Sequence, residues 1–105
     1  MWVALFEEIK MKRINKEKVN KLIAKAGTVL VDMRSPVAFR DGHIQGAKNL
    51  TLKYFLNHLL SIKDKATNIV IYGDTFSEAD IQHGLNYADQ LGFSRVFAAD
   101  YHDIK

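Results

Sequence analysis

The chain has 105 residues, of which 48% are hydrophobic and 26% charged, with one proline and six glycines. This length fits one domain with one hydrophobic core, and the composition argues against disorder, collagen and coiled coil. Cysteine is absent, which excludes disulfides, thiolate metal sites and every mechanism that requires a thiol nucleophile of the chain's own.

The net charge of +3 is unevenly distributed along the chain. Residues 1–27 carry seven Lys or Arg and three Glu, whereas residues 74–103 carry six Asp or Glu and only Arg95. The basic residues are interleaved with an apolar helical pattern, which favours a solvated helix face over a patch for a polyanion or an acidic protein partner. We therefore expect no nucleic-acid partner.

The apolar residues 2–6 are followed at once by Glu7 and Glu8. The run is too short for the hydrophobic part of a secretory signal and has no basic segment before it. No run approaches the roughly 18 apolar residues of a membrane span. We expect a soluble, cytoplasmic protein with no membrane partner, whose apolar residues 2–9 pack on the domain or on a second copy.

The first half of the chain predicts a helix followed by a strand. Asn15 is a plausible N-cap and Gly27 a plausible end for the helix. The helix has its apolar positions at amphipathic spacing: Val19, Leu22, Ile23 and Ala26. Residues 28–31 are continuous, apolar and β-branched, as expected of a strand buried on both faces, and residues 32–36 break it.

Two more helices and two strands are predicted further along. Thr51 can cap a helix, residues 68–72 read as a second buried strand, and residues 77–80 have the form of a capping box before a helix that stops at Gly92. The apolar positions of these helices are Leu52, Phe55, Leu56, Leu59 and Leu60, then Ile81, Leu85, Ala88 and Leu91. Residues 95–97 predict a last short strand.

Strands that alternate with helices imply parallel pairing through right-handed crossovers. We therefore predict a small three-layer α/β/α sandwich around a central, mainly parallel sheet, with residues 1–105 forming a single domain. Sites in such sheets lie at the carboxyl ends of the strands, which directs attention to residues 32–34 and 73–78.

Residues 29–47 carry a specific motif in which an apolar strand is followed by polar and glycine residues at fixed spacing. The motif residues are Asp32, Arg34, Gly42, His43, Ile44, Gly46 and Ala47. This pattern resembles the rhodanese-like domain, with Ala38 where that family usually has Glu. The resemblance spans residues 12–98, including a Gly-Phe-x-x-Val segment after Leu91, and leaves residues 1–11 as an N-terminal extension.

The motif residues also have readable physical roles. Asp32, beside the turn, can accept backbone N–H bonds, and Arg34 can bridge neighbouring loops. Gly42 and Gly46 suit tight turns of the backbone. We interpret His43 as a hydrogen-bonded structural histidine, with a ligand or general-base role as the alternative.

The resemblance also locates a missing residue. In active rhodanese-like proteins a Cys follows the strand and begins a six-residue loop whose backbone N–H groups point at the sulfur. Its thiolate carries a persulfide or, in related phosphatases of this fold, attacks phosphate. Gly73 stands at that position and has no side chain to act as a nucleophile. The vestigial loop comprises Gly73, Asp74, Thr75, Phe76, Ser77 and Glu78.

This loop differs from the family's in size and charge. Phe76 stands where Gly is frequent, so its ring can fill the pocket, and Glu78 stands where Arg or Ser is frequent. With Asp74 and Asp80, Glu78 brings up to three negative charges that repel thiosulfate, phosphate and arsenate. We expect Glu78 and Asp80 to satisfy the positive end of the following helix from within its first turn.

No other group in the sequence replaces the thiol. Ser77 is predicted to cap the helix rather than to act as a nucleophile. Asp74 could accept a phosphoryl group, but no second acid two residues later supports a metal site. His83 and Asp80 share a helix face, which indicates a surface pair rather than a metal site. We expect no metal and no cofactor.

The end of the chain departs from the family as well. Residues 98–103 replace the Gly-Gly and Trp that often follow the last strand. Because the Gly-Gly turn usually lets the backbone approach the active-site loop, this change bears on the geometry of residues 73–78.

The resemblance without its Cys implies a catalytically inactive rhodanese-like domain that acts as a binding or regulatory module for a protein partner, as a monomer or a homodimer. One alternative is a thiol-independent enzyme that uses Arg34, Arg40 and His43 in a pocket at the strand ends. Another is a sulfurtransferase-related activity with a thiol supplied by a second protein. An open cavity lined by those three residues favours the enzyme, and a loop plugged by Phe76 disfavours it.

Overall fold

Helices and strands alternate along residues 12–105, the part of the chain that the computed structural model describes. The elements are α1 (Lys16–Ile23), β1 (Val29–Asp32), α2 (Pro36–Asp41), β2 (Lys48–Asn49), α3 (Leu52–Ser61), β3 (Ile69–Gly73), α4 (Ala79–Gln90), β4 (Val96–Asp100) and α5 (Tyr101–Ile104). The expectation that residues 2–9 pack on the domain or on a second copy lies outside the described residues.

The four strands form one parallel sheet in the order β2-β1-β3-β4. The register sets Asp32 beside Tyr72, and Gly73 beside Asp100. The carboxyl ends of the three longer strands therefore lie next to one another. The outer edge of β4 is paired with the chain before α1, because the Ile14 N–H donates to the Ala98 carbonyl over 2.9 Å.

Helices cover both faces of the sheet, which confirms the predicted three-layer sandwich. On one face, α3 and α4 bury their apolar side chains against the sheet. The contacts there join Phe55, Leu59, Ile81 and Leu85 to Val31, Ile69, Ile71 and Ala98. On the other face, α1 and α5 pack Val19, Leu22 and Ile104 against Leu30, Val70, Tyr72 and Ala99. Each strand of the centre is thus buried on both faces, as its continuous apolar run predicts.

Helix ends follow the local hydrogen bonds. Asn15 caps α1 as predicted, accepting from the Lys18 N–H over 3.0 Å. The helix ends at Ile23, and the exposed Ala26 lies beyond it. There the Leu22 carbonyl accepts from the Lys25 N–H over 3.0 Å and from the Thr28 hydroxyl over 2.6 Å. Gly27 then turns the chain with a φ of 84°.

The second predicted helix is correct in position but not in every detail. Thr51 occupies the N-cap of α3 without a side-chain cap bond. Phe55 and Leu59 lie on the buried face, whereas Leu60 is 72% exposed, because each helical residue is rotated about 100° from the one before it.

Three short elements have no counterpart in the sequence prediction. These are α2, β2 and α5. In α2, Pro36 occupies the first turn and the Ser35 hydroxyl accepts from the Ala38 N–H over 3.2 Å, so six residues form a helix where a turn is expected. In addition, β4 extends to Asp100, beyond the predicted residues 95–97, through the buried Ala98 and Ala99.

Among residues 12–105, no helix combines the length and the apolar character required to cross a membrane.

Candidate functional site

Asp32 and Arg34 form a buried ion pair at the carboxyl end of β1. The Asp32 side chain is fully buried and the Arg34 side chain is 6% exposed. Nη2 of Arg34 lies 2.8 Å from Oδ2 of Asp32, and Nε donates to both carboxylate oxygens over 3.1 and 3.2 Å. The hydrogen bond to Asp32 raises the pKa of Arg34, and burial opposes it. The backbone N–H of Arg34 also donates to Oδ1, as the turn geometry of an Asp predicts.

Arg34 connects three segments of the chain. Its Nη2 donates to the Gly42 carbonyl over 2.6 Å at the end of α2, and its guanidinium carbon lies 3.6 Å from the centre of the Tyr101 ring at the start of α5. Asn49 of β2 donates its side-chain N–H to the carbonyls of both Asp32 and Arg34. The predicted bridging role of Arg34 is therefore confirmed, and it extends to the C-terminal helix.

Two tyrosines complete this cluster, and sequence reasoning missed both. Tyr72 is fully buried, and its hydroxyl oxygen accepts from the Ile44 N–H over 3.0 Å. Burial above all raises the pKa of Tyr72, so the phenol stays neutral. Its ring stacks on Tyr101 with centroids 5.6 Å apart. For Tyr72 a sequence signal exists: a polar-tipped aromatic stands at the end of a predicted buried strand, and a buried Tyr hydroxyl needs a partner.

The two motif glycines serve different purposes. Gly46 has a φ of 89°, the left-handed region that favours glycine. Gly42, the C-cap residue of α2, has a φ of 166°, which is extended backbone open to any residue, so its backbone conformation does not itself require glycine. A Cβ on Gly42 would instead lie 3.2 Å from the Tyr101 hydroxyl. Gly42 is therefore suited to the close approach of a side chain.

His43 makes structural contacts. Its Nδ1 lies 2.8 Å from the Phe39 carbonyl, and its ring stacks on that of Phe39 with centroids 3.7 Å apart. These contacts agree with the structural interpretation of His43 and hold its ring against α2.

At the end of β3, the loop 73–78 folds back on itself through a carboxylate. Oε1 of Glu78 accepts from the Thr75 N–H over 2.8 Å. A Cβ on Gly73 would lie 3.2 Å from Oε2 of Glu78 and 3.2 Å from the side chain of Ile81. The Glu78 carboxylate therefore lies against the place where a side chain at position 73 would begin.

A second carboxylate binds the next N–H of the loop. Oδ1 of Asp100, at the end of β4, accepts from the Phe76 N–H over 2.5 Å. Oδ2 of Asp100 accepts from Arg13 over 2.6 Å, so the acid is held from both sides. Asp100, in the segment 98–103 that departs from the family pattern, therefore reaches the loop. Two loop N–H groups are thus bound by the chain's own carboxylates.

These contacts correct two expectations about the start of α4. Ser77 does not cap the helix: Glu78 is the N-cap residue, without a side-chain cap bond, and the Ser77 hydroxyl lies 3.3 Å from that of Thr75. Glu78 does not serve the helix end, because its carboxylate turns back to the Thr75 N–H. Asp80 does lie in the first turn of α4, as predicted.

Phe76 points inward rather than to solvent. Its half-buried ring packs against the core beneath α3 and α4, and the Arg13 guanidinium lies 5.7 Å from its centre. The Phe76 carbonyl accepts from the Gln82 side chain over 2.8 Å. The loop is therefore anchored at its middle by an apolar side chain and at both flanks by hydrogen bonds.

An open cavity lies on the other side of the strand ends. It has a volume of about 280 Å³ and is lined by Arg34, Ala38, Asp41, Gly42 and Tyr101. Arg40 and His43, the other two polar groups expected in a thiol-independent active site, are exposed and do not line it.

In the described part of the chain, no three His, Asp or Glu side chains gather in a way that could hold a metal ion. Asp80 and His83 are both exposed.

Comparison with known proteins decides the family. The sequence model of the rhodanese-like domain matches residues 15–101. The chain belongs to the rhodanese-like domain family. A thiosulfate sulfurtransferase GlpE from Pseudomonas putida is 36% identical over 90 residues, which cover 85% of this chain and 78% of the relative.

Solved rhodanese-like structures share the fold. A rhodanese-like domain protein from Staphylococcus aureus superposes with a TM-score of 0.69 at 20% identity, covering 90% of this chain and 91% of the other. The human single-domain sulfurtransferase TSTD1 superposes with a TM-score of 0.67 at 17% identity, covering 88% and 93%. Within this rhodanese-like fold, the chain has Gly73 after the central strand and no cysteine anywhere in its sequence.

Proposed function

We propose that this rhodanese-like domain is catalytically inactive and acts as a binding or regulatory module for a protein partner. The observation that carries the proposal is the Glu78 carboxylate, bonded to the Thr75 N–H and adjacent to Gly73. Sulfur transfer by a thiolate needs a nucleophile at this place and N–H groups free to bind the developing anion. Here the nucleophile is missing and an internal carboxylate takes one of those N–H groups.

Electrostatics supports the same conclusion. The curated relative is a thiosulfate sulfurtransferase, and thiosulfate is an anion. At the loop of this chain, a thiosulfate ion would meet the carboxylates of Asp74, Glu78 and Asp100, and within residues 12–105 only Asp100 is paired with a cation, Arg13. Like charges at close range disfavour such a substrate. A loop shaped in this way is better suited to contact a partner than to hold an anionic donor.

The module would work in the cytoplasm as a monomer or a homodimer, without nucleic acid, metal or cofactor. The contact surface that we propose is the exposed part of the loop, where the Asp74 carboxylate is accessible.

Two measurements test the proposal. Purified full-length chain, assayed for sulfur transfer from thiosulfate to cyanide beside a GlpE-type enzyme, is expected to give no turnover above the blank; clear turnover would overturn the inactive assignment. In a pull-down from the native cell, Asp74→Lys is expected to reduce capture of a specific partner. Asp89→Lys, a charge reversal at another exposed acid on α4, is expected to leave it unchanged. Equal capture by both variants would remove the loop from the proposal.

A further inference from the structure

The cavity between α2 and α5 has features of a small-molecule site, and it is separate from the loop 73–78. Its volume is about 280 Å³. Ligand clefts for drug-sized molecules start at roughly 300 Å³, and one water occupies roughly 30 Å³ of liquid. The space therefore suits a molecule of about the size of an amino acid.

Arg34 presents a hydrogen-bond donor to this cavity. Its side chain is 6% exposed, and Nε and Nη2 are occupied by Asp32 and the Gly42 carbonyl. Within residues 12–105, Nη1 makes no hydrogen bond, in contrast to Nε and Nη2, and Arg34 is one of the residues that line the cavity.

Two other polar groups belong to residues that line the cavity, the Tyr101 hydroxyl and the Asp41 carboxylate. The Tyr101 hydroxyl makes no hydrogen bond within the described residues. Because Gly42 has no side chain, the space next to this hydroxyl is open; a Cβ on Gly42 would lie 3.2 Å from the Tyr101 oxygen. The Tyr101 ring holds the guanidinium plane in place at 3.6 Å. Asp41, exposed at the rim, adds an acceptor with a negative charge.

The charge balance of the wall selects the kind of ligand. Asp32 neutralises Arg34 through a close ion pair, so Asp41 gives the lining residues an excess negative charge, while Nζ of Lys105 lies 5.8 Å from the centre of the Tyr101 ring. A simple oxyanion would have its full charge beside Asp41, with Arg34 already paired with Asp32. A molecule with one carboxylate and one ammonium group meets both signs of charge and carries no net charge of its own.

We propose that this cavity binds a small zwitterion of the amino-acid type, with its carboxylate on Nη1 of Arg34 and the Tyr101 hydroxyl, and its ammonium group on Asp41. This site lies beyond the proposed function, because it uses none of the loop residues. Binding there and partner binding at the loop can succeed or fail independently.

The test is a titration of the full chain in which ligand binding is detected through the amide signals in NMR spectra. The probes are glycine and alanine, with acetate and methylammonium as molecules that carry only one of the two charges. We expect glycine or alanine to shift the amide signals of Ala38 and Gly42 in a saturable manner at roughly millimolar concentrations, and to leave those of Thr75 and Phe76 in place.

Matched variants identify the contacts. Asp41→Asn is expected to weaken amino-acid binding roughly tenfold, as the loss of a charge-assisted bond predicts, and to leave acetate binding no weaker than before. Tyr101→Phe keeps the stacking on Arg34 and is expected to weaken both. Asp89→Asn, far along α4, is the control and is expected to change neither. Absence of saturable shifts, acetate binding as tight as that of glycine, or unchanged affinity in Asp41→Asn would each overturn the proposal.

Discussion

The backbone N–H of Thr75 donates to the carboxylate of Glu78 over 2.8 Å, three residues later in the same loop. This bond closes the loop on itself beside Gly73, the position at which the family resemblance places the Cys of active members. The anion that the Thr75 N–H binds is thus the Glu78 carboxylate of the chain itself. The absence of Cys is accompanied by this second feature, which stabilises the loop.

Removal of this carboxylate tests its contribution to stability. Glu78→Ala deletes a charge-assisted bond to a backbone N–H in a partly exposed loop, and we expect a loss of about 1–2 kcal/mol in the free energy of unfolding. Glu78→Gln can still accept from Thr75 as a neutral amide and should lose about 0.5–1 kcal/mol. Urea unfolding measures both, with Asp89→Ala as a control at an exposed acid. A Glu78→Ala variant as stable as the parent chain would contradict the structural role of this bond.

A nucleophile restored at position 73 is expected to remain unreactive while Glu78 is present. In Gly73→Cys, the new side chain begins 3.2 Å from Oε2 of Glu78. The carboxylate disfavours the thiolate, so the pKa of the introduced thiol should lie above its ordinary value of about 8.5. We expect no sulfur transfer from thiosulfate by this single variant.

The combination Gly73→Cys with Glu78→Ser should lower that pKa by about one unit or more, since it removes the neighbouring charge and frees the Thr75 N–H. Thiolate absorbance against pH gives the pKa, and the cyanide assay gives the activity. Gly73→Ser with Glu78→Ser is the control without a thiol. A single variant with an ordinary or lowered thiol pKa would show that Glu78 does not mask the position.

The difference between Asp32 and Glu78 shows what could be predicted from the sequence. The hydrogen bonds of Asp32 depend on a turn within two residues, so the local motif was sufficient. The orientation of the Glu78 side chain depends on how the loop curves. A carboxylate in this position can accept either from N–H groups at the start of the helix or from N–H groups of the loop. No local pattern distinguishes the two.

Contacts that depend on the sheet register could not be predicted from local sequence patterns either. Asp100 meets the Phe76 N–H because β3 and β4 pair with Gly73 beside Asp100, and the two partners are 24 residues apart in sequence. Tyr101 meets Arg34 only because β4 runs on to Asp100 and ends where α5 begins. The fold class followed from alternating elements, whereas these contacts required the exact length of the last strand.

Arg34 is expected to dominate the stability of the strand ends. Arg34→Ala leaves the fully buried carboxylate of Asp32 without its cation, and removal of one partner from a buried pair costs about 3–5 kcal/mol. Arg34→Lys keeps the charge but cannot reproduce the paired bonds to Asp32 and the bond to Gly42, so an intermediate loss is expected. Chemical denaturation measures these losses. The exposed Arg40→Ala is the control and should change stability by less than about 0.5 kcal/mol, and a similar small loss in Arg34→Ala would refute the assignment.

Tyr72 predicts a specific pH dependence of stability. Because burial raises the pKa of Tyr72 in the folded state above the ordinary value of about 10, its contribution is fully present below pH 10. Above that pH the unfolded chain loses the phenol proton while the folded chain keeps it, so stability falls as pH rises. Tyr72→Phe lacks this titration but leaves the Ile44 N–H without its acceptor.

The stability difference between the parent chain and Tyr72→Phe should therefore be largest near neutral pH and shrink above about pH 10. Urea unfolding at a series of pH values follows it, and the exposed Tyr87→Phe should show no comparable trend. A difference that stays constant into the alkaline range would indicate that the phenol titrates alike in the folded and unfolded chains.

Gly42 and Gly46 should respond to the same substitution for different reasons. Gly42→Ala introduces a Cβ 3.2 Å from the Tyr101 hydroxyl, on backbone that any residue adopts. Gly46→Ala meets no atom within 4 Å but forces an L side chain onto a φ of 89°. Each is expected to cost about 1 kcal/mol in the free energy of unfolding.

The two costs separate in combination with Tyr101→Phe, which removes the hydroxyl oxygen. In the double variant Gly42→Ala with Tyr101→Phe, the steric cost should largely disappear, so the two changes are non-additive by about 0.5 kcal/mol or more. Gly46→Ala with Tyr101→Phe should be additive, because the strain at position 46 lies in the backbone. Double-mutant cycles by urea unfolding measure the coupling. If the free-energy losses of Gly42→Ala and Tyr101→Phe are additive, the Cβ at position 42 does not clash with the Tyr101 hydroxyl. The close approach of Tyr101 would then not be the reason that glycine suits position 42.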